Sequence, residues 1–254
     1  MKKLIKRVLT TLGVKTIPHL DKKLAGVERV FKAPPFTPEL VESIRLISPQ
    51  FHLTTNEKSR EFWEAEQNGA CWGEYEALTP LFQSMPRPGK ILDIGPGLGR
   101  SLVFFSKKLG WESSQLCAYE GEGRTTKYTI LGSRFEDSFC GNIGQLRRVL
   151  EFNAINNVTI FNTKDTPMAK LSGPFDLIYS FYSIGFHWSL EHFLDDLLCL
   201  MDDKSVAVFM VPDEFKPFQA LASISYRIID GQNTWFNGRR LRMLVVGKKS
   251  IPNW

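Results

Sequence analysis

The stretch Ile91-Leu-Asp-Ile-Gly95-Pro-Gly97-Leu-Gly99-Arg100 decides how this chain is read. Lys90 to Ile94 is a short apolar run of the kind a buried strand needs, and a helical pattern runs on from Arg100 to about Lys108. Glycines at such a junction let the backbone turn sharply and approach a ligand with no side chain in the way. The spacing is GxGxG, not the GxGxxG that seats a pyrophosphate on a helix N-terminus. No Gly-Lys-Ser/Thr follows, which excludes a phosphate-binding P-loop. Asp93 stands two positions before the first glycine. A carboxylate there repels a pyrophosphate and suits a ligand carrying an ammonium group.

Downstream the pattern repeats. Strand-like runs span Ser114 to Glu120, Val158 to Phe161, Phe175 to Ser180 and Ser205 to Val211. Between them, Leu146 to Ala154 reads as a helix, and Leu190, Phe193, Leu194, Leu197, Leu198 and Met201 form an apolar helical stripe. Strands alternating with helices predict an α/β fold with a mostly parallel, doubly wound sheet. The tail departs from that rhythm: Thr234 to Phe236, then Asn237-Gly238, then Arg242 to Val246, which predicts a C-terminal antiparallel hairpin. Residues 86–254 are therefore expected to form one domain. Residues 1–85 read as a helical lead-in, with a proline linker at Pro34, Pro35 and Pro38 and a charged, aromatic helical stretch from Asn56 to Phe82.

The glycine stretch resembles the first motif of the class I S-adenosylmethionine-dependent methyltransferases, and Asp93, Gly95, Gly97 and Gly99 match it position by position. The resemblance implies a Rossmann-like fold with S-adenosyl-L-methionine as cofactor, the loop residues Pro96 and Arg100 included in its cradle. It implies that Asp93 serves the amino-acid end of the cofactor. It further implies that Glu120, ending the second strand, holds the ribose hydroxyls, a task for which a two-oxygen acceptor is suited. After the third strand the family places an acidic or polar residue near the adenine; the local sequence Asn162-Thr-Lys-Asp165 offers Asp165. The gap between Glu120 and Val158 is longer than the core needs, so residues 124–142 read as an insertion near the ligands.

The acceptor side follows the fourth strand, at Ser180-Phe-Tyr-Ser-Ile-Gly-Phe-His-Trp188. Ser180 and Phe181 are expected at the cofactor, and Tyr182 and Trp188 at the substrate. Aromatic faces suit both a sulfonium and the apolar faces of sugars. The segment lacks the Asn/Asp-Pro-Pro-Tyr/Phe tetrapeptide of base-amino methyltransferases. His187 is the candidate base for a hydroxyl acceptor, kept neutral by a helix expected to begin at Trp188 or Ser189. His192, one turn further on, reads as surface, and no chemistry is assigned to His19 or His52. Two stretches, Phe135 to Asn153 and Tyr179 to Trp188, resemble sugar O-methyltransferases of bacterial surface-polysaccharide pathways. That resemblance implies a sugar or glycan hydroxyl as acceptor.

Composition sets the outer limits. The chain has 254 residues, 43% hydrophobic, with a formal charge of +5, which permits an anionic partner without demanding nucleic acid. RNA methyl transfer and a non-catalytic cofactor-binding scaffold are the alternatives to a glycan or small-molecule acceptor. The four cysteines (Cys71, Cys117, Cys140, Cys199) form no CxxC pair, and with no HExxH a zinc site lacks support; no metal is expected. Leu4, Ile5, Val8, Leu9 and Leu12 recur at helical spacing among lysines and Arg7. This basic amphipathic helix is expected to pack on the main domain or a sister subunit, or to touch an anionic membrane surface. With no run of roughly twenty apolar residues, a soluble, cytoplasmic protein is expected.

Overall fold

A computed structural model describes residues 78–121, 143–181, 183–185, 188–236 and 239–251. The N-terminal amphipathic helix, the proline linker, most of the Asn56 to Phe82 stretch, the 124–142 insertion, Tyr182, His187 and the Asn237-Gly238 turn lie outside them.

Helix α1 (Thr79–Ser84) leads into β1 (Lys90–Ile94). Helix α2 begins at Arg100–Val103 and widens into a π-helical turn over Phe104–Lys108. Then come β2 (Gln115–Glu120), α3 (Ile143–Phe152), β3 (Val158–Asn162), β4 (Leu177–Ser180), a 3-10 turn at Leu190–His192 and α4 (Leu194–Cys199). Strands β5 (Val206–Pro212), β6 (Ser225–Phe236) and β7 (Arg239–Gly247) complete the order. Among the described residues the strands form one seven-stranded sheet in the order β3-β2-β1-β4-β5-β7-β6. Five strands are parallel, and β7 runs antiparallel between β5 and β6. The expected Rossmann-like, doubly wound sheet with a C-terminal antiparallel pair is the fold observed.

Two details differ from the sequence reading. Strand β6 starts at Ser225, nine residues before the expected Thr234, and its pairing with β7 is irregular between Asp230 and Trp235. An irregularity of that kind breaks the strict alternation by which a strand is recognised. The helix expected from Trp188 or Ser189 is instead a 3-10 turn, a break at Phe193 and a six-residue α-helix. So short a turn carries little macrodipole, and the argument that a helix N-terminus keeps His187 neutral loses its basis.

Alternating strand residues feed two cores. On one face Ile91, Leu116, Ala118, Leu177, Tyr179 and Val208 pack with α1, α2 and α3. On the other, Leu92, Ile94, Cys117, Ile178, Phe209 and Val246 pack with Met168, Leu171, Leu190 and Leu197. The π-helical turn lets the consecutive residues Phe104 and Phe105 both reach the first core. There Phe82 of α1 is fully buried, with ring centroids 5.4 Å from Phe105, 5.9 Å from Trp111 and 5.8 Å from Tyr179. Phe82 thus fastens the segment preceding the sheet to the back of β4. Phe82→Ala is expected to cost about 3–5 kcal/mol in urea unfolding; a loss below about 1 kcal/mol would mean that α1 is not an anchor.

Candidate functional site

The strand order reverses between β1 and β4, and ligands of doubly wound sheets sit there, beyond the carboxyl ends of the strands. The glycine loop occupies this point. Gly95, Gly97 and Gly99 all have positive φ (69°, 58° and 79°), which any other L-residue adopts only at a cost. Beyond that shared need, the three positions differ. A Cβ on Gly95 would lie 2.4 Å from the Cβ of Ser183, and one on Gly99 would lie 2.8 Å from Leu146 of α3. Both are spaces already filled by the protein. A Cβ on Gly97 would meet nothing within 4 Å. Gly97, exposed at the loop apex, is therefore the position whose backbone is open to a ligand. Gly95 and Gly99 serve the packing of the loop. Pro96 and Arg100 flank the apex, each half-buried, and the Pro96 carbonyl accepts from the Gly99 N–H at 2.9 Å.

Two carboxyls underlie the loop. Asp93, one residue before the end of β1, and Glu120, the last residue of β2, lie on the sheet face that α2 covers, and they are 1% and 5% exposed. Asp93 lies in register with Ala118 on one side and Tyr179 on the other. Its partner is the Ser101 hydroxyl, which donates to Oδ2 from the first turn of α2. Glu120 accepts from two backbone groups: the Gly97 N–H at 2.7 Å to Oε2 and its neighbour Gly121 N–H at 2.9 Å to Oε1. Burial dominates the titration of both. It pushes Asp93 up to about 8, with the nearby Glu120 charge adding and the Ser101 hydrogen bond opposing. It pushes Glu120 up to about 7 against the pull of its two amides. A carboxylate offers about four acceptor positions, so Glu120 keeps capacity for a vicinal diol beside its two amide bonds.

The remaining predicted residues fall into different places. Asp165 is exposed in the turn after β3, its N–H donating to the Asn162 carbonyl at 3.1 Å. Ser180 is fully buried, its hydroxyl donating to the Ile94 carbonyl and accepting from the Ile184 N–H, both at 2.9 Å. The expectation that Ser180 contacts cofactor is corrected: its hydroxyl joins two pieces of backbone. Phe181 is also packed away, 6% exposed with its ring centroid 6.2 Å from Tyr179, so its face belongs to the core. Trp188 is half-buried at the end of a loop that closes on itself, Trp188 N–H to Ser183 O at 3.0 Å and Gly185 N–H to Trp188 O at 2.8 Å. His192 is exposed, as expected. His187 and Tyr182 lie outside the described residues. Sequence reasoning missed Ser101 and Ser183. Ser101 carried a usable signal, because it opens the helix packed over the strand that bears Asp93.

Among the described residues no group of three or more His, Cys, Asp or Glu side chains could hold a metal ion. Among the same residues no helix is long and apolar enough to cross a membrane.

Residues 62–245 match the model of a family described as a methyltransferase domain. The chain belongs to that family. No curated protein matches it significantly. Solved structures similar to this methyltransferase include a proposed O-methyltransferase from Klebsiella pneumoniae, at 14% identity, covering 91% of this chain and 95% of that one with a TM-score of 0.49. A single-site mutant of MtNAS in complex with S-adenosylmethionine has 12% identity, 84% and 72% coverage and a TM-score of 0.50. A SAM-dependent methyltransferase from Aquifex aeolicus has 12% identity, 70% and 92% coverage and a TM-score of 0.47. At these identities the likeness is one of fold.

S-adenosylmethionine is the expected cofactor of this methyltransferase, and the residues present fit it: open backbone at Gly97, a carboxyl with spare acceptor capacity at Glu120 and a second buried carboxyl at Asp93. Both carboxyls hold their protons to higher pH than usual, and both must be ionised to meet a cation or to accept from two hydroxyls. Raising the pH through about 7 to 8 therefore favours the binding-competent state. Calorimetry should show cofactor affinity rising across that interval with net proton release. Glu120→Gln should flatten the profile and weaken binding about tenfold or more, through loss of a charged acceptor; a pH-independent affinity in the unaltered protein would refute this account.

Proposed function

We propose that this methyltransferase acts on a hydroxyl group of a sugar or glycan, with His187 as the base. The observation that carries the reading is the loop after β4, Ser180 to Trp188, whose Ser183 lies directly against Gly95 of the cofactor loop. In this reading the loop supplies the acceptor side of the site. It is rich in aromatics, suited to the apolar faces of sugar rings, and lacks the Asn/Asp-Pro-Pro-Tyr/Phe tetrapeptide that serves base amines. Its likeness, together with that of Phe135 to Asn153, to sugar O-methyltransferases supports the same acceptor class.

When bound, S-adenosylmethionine supplies a methyl group on a sulfonium, an electrophile that needs alignment and shelter from water more than activation. The chain's part is then threefold. Gly97 and Glu120 fix the nucleoside, with Asp165 a candidate for its adenine end. Asp93 supplies negative charge beneath the amino-acid end. His187 takes the proton that the acceptor hydroxyl loses, while Tyr182 and Trp188 flank the acceptor. A cytoplasmic enzyme whose basic N-terminal helix rests on an anionic membrane would meet lipid-linked glycans at the surface where they are built.

Methyl-labelled cofactor offered with nucleotide sugars, lipid-linked oligosaccharides and RNA should label the carbohydrate fraction. Mass spectrometry should place one added methyl on a hydroxyl oxygen. His187→Ala should then lower turnover about a hundredfold with cofactor affinity unchanged. Label in RNA alone would replace the acceptor class, and unaltered turnover in the variant would remove His187 from its role.

A further inference from the structure

We infer that Ser180 and Ser183 are positioning residues that hold the loop after β4 in register with the glycine loop after β1, so that cofactor binding at one loop orders the other. The inference rests on the reading that the loop after β4 faces the acceptor, and it adds what sets that loop's geometry.

Four hydrogen bonds and two packing contacts make the connection. The Ser180 hydroxyl donates to the carbonyl of Ile94, the last residue before the glycine loop, and accepts from the N–H of Ile184 in the loop after β4. One buried hydroxyl thus ties the backbone of both loops with both of its hydrogen-bonding roles in use. Ser183 is 6% exposed and fills the space a side chain on Gly95 would take. The Ser183 carbonyl accepts from Trp188 N–H and the Trp188 carbonyl from Gly185 N–H, tying Ser183 and Gly185 to Trp188. A Cβ on Gly185, whose φ is 90°, would lie within 3.4 Å of Val211, Met210 and Phe209 of β5, so the backbone is seated closely against that strand. The loop is clamped between β5 on one side and the glycine loop on the other. Interfaces packed this tightly shift between discrete arrangements and do not deform independently, so ordering one loop constrains its neighbour.

Hydrogen exchange with S-adenosylhomocysteine, which carries no transferable methyl, tests this without any acceptor. In the unaltered protein the ligand should slow exchange of the amides of Gly97 and Gly99 and, together with them, of Ile184, Gly185 and Trp188, by about tenfold or more. In Ser180→Ala and in Ser183→Gly the glycine-loop protection should persist while that of Ile184, Gly185 and Trp188 is lost. Ser180→Thr, which keeps the hydroxyl, should restore it. Should Ser180→Ala fail to fold, Ser183→Gly carries the test, because it removes one exchange-silent side chain and leaves every backbone hydrogen bond in place. Protection confined to residues 95–99 in the unaltered protein, joint protection surviving in both variants, or no binding of the ligand would each overturn the inference. A different acceptor class would leave the exchange result intact, so the two readings fail separately.

Discussion

Asp93 and Glu120 are removed from water at the carboxyl ends of neighbouring strands, and among the described residues no cation pairs with them. Their hydrogen-bond partners are a serine hydroxyl and two backbone amides, all formally neutral. Burying an ionised carboxyl in such surroundings is costly, so the proton is retained to a pH where a surface carboxyl would long have lost it. Such a pair of carboxyls suits a ligand that brings positive charge and hydroxyl donors together. The sheet makes that pair possible, since parallel register sets the ends of β1 and β2 side by side with both carboxyls on one face.

The glycine loop depends on the same pair. Glu120 draws the Gly97 N–H toward the end of β2, while Gly95 N–H continues the ladder to Tyr119 O at 2.9 Å. These bonds fix the bend on which the ligand is expected to lie. Gly95 and Gly99 then let the bend pack against Ser183 and Leu146. A motif that reads as three equivalent glycines is one open position held by two packing positions.

Much of this was legible before the structure. The apolar strands, the acidic residue ahead of the glycines and Glu120 at a strand end are local patterns, and local patterns survive folding when the core they imply is actually built. What stayed hidden depends on contacts distant in the chain. Nothing in the spacing of Ser180 says that its hydroxyl is taken by Ile94, 86 residues away. Nothing in the sequence of Phe181 distinguishes a ring facing cofactor from one lying on Tyr179. The early start of β6 was obscured for a different reason, because an irregular register spoils the period-two pattern that identifies a strand.

The division between legible and hidden residues follows the division of labour within the site. Residues that meet the cofactor are constrained by the chemistry of a fixed molecule, and they stand out because few residue types perform those tasks: glycine for close approach, a carboxylate for a diol. Residues that orient the acceptor are constrained by the neighbouring loop, a requirement met by many side chains of the right size, and serine is not conspicuous in that role. Ser180 and Ser183 are consequently inconspicuous in the sequence, while Gly97 and Glu120 stand out as candidates. The same asymmetry explains why a cofactor is suggested by a short motif, whereas the acceptor is argued from a loop whose sequence carries aromatic rings and one imidazole. Such side chains recognise a class of surface, a ring with apolar faces and a hydroxyl edge, before they recognise a particular molecule.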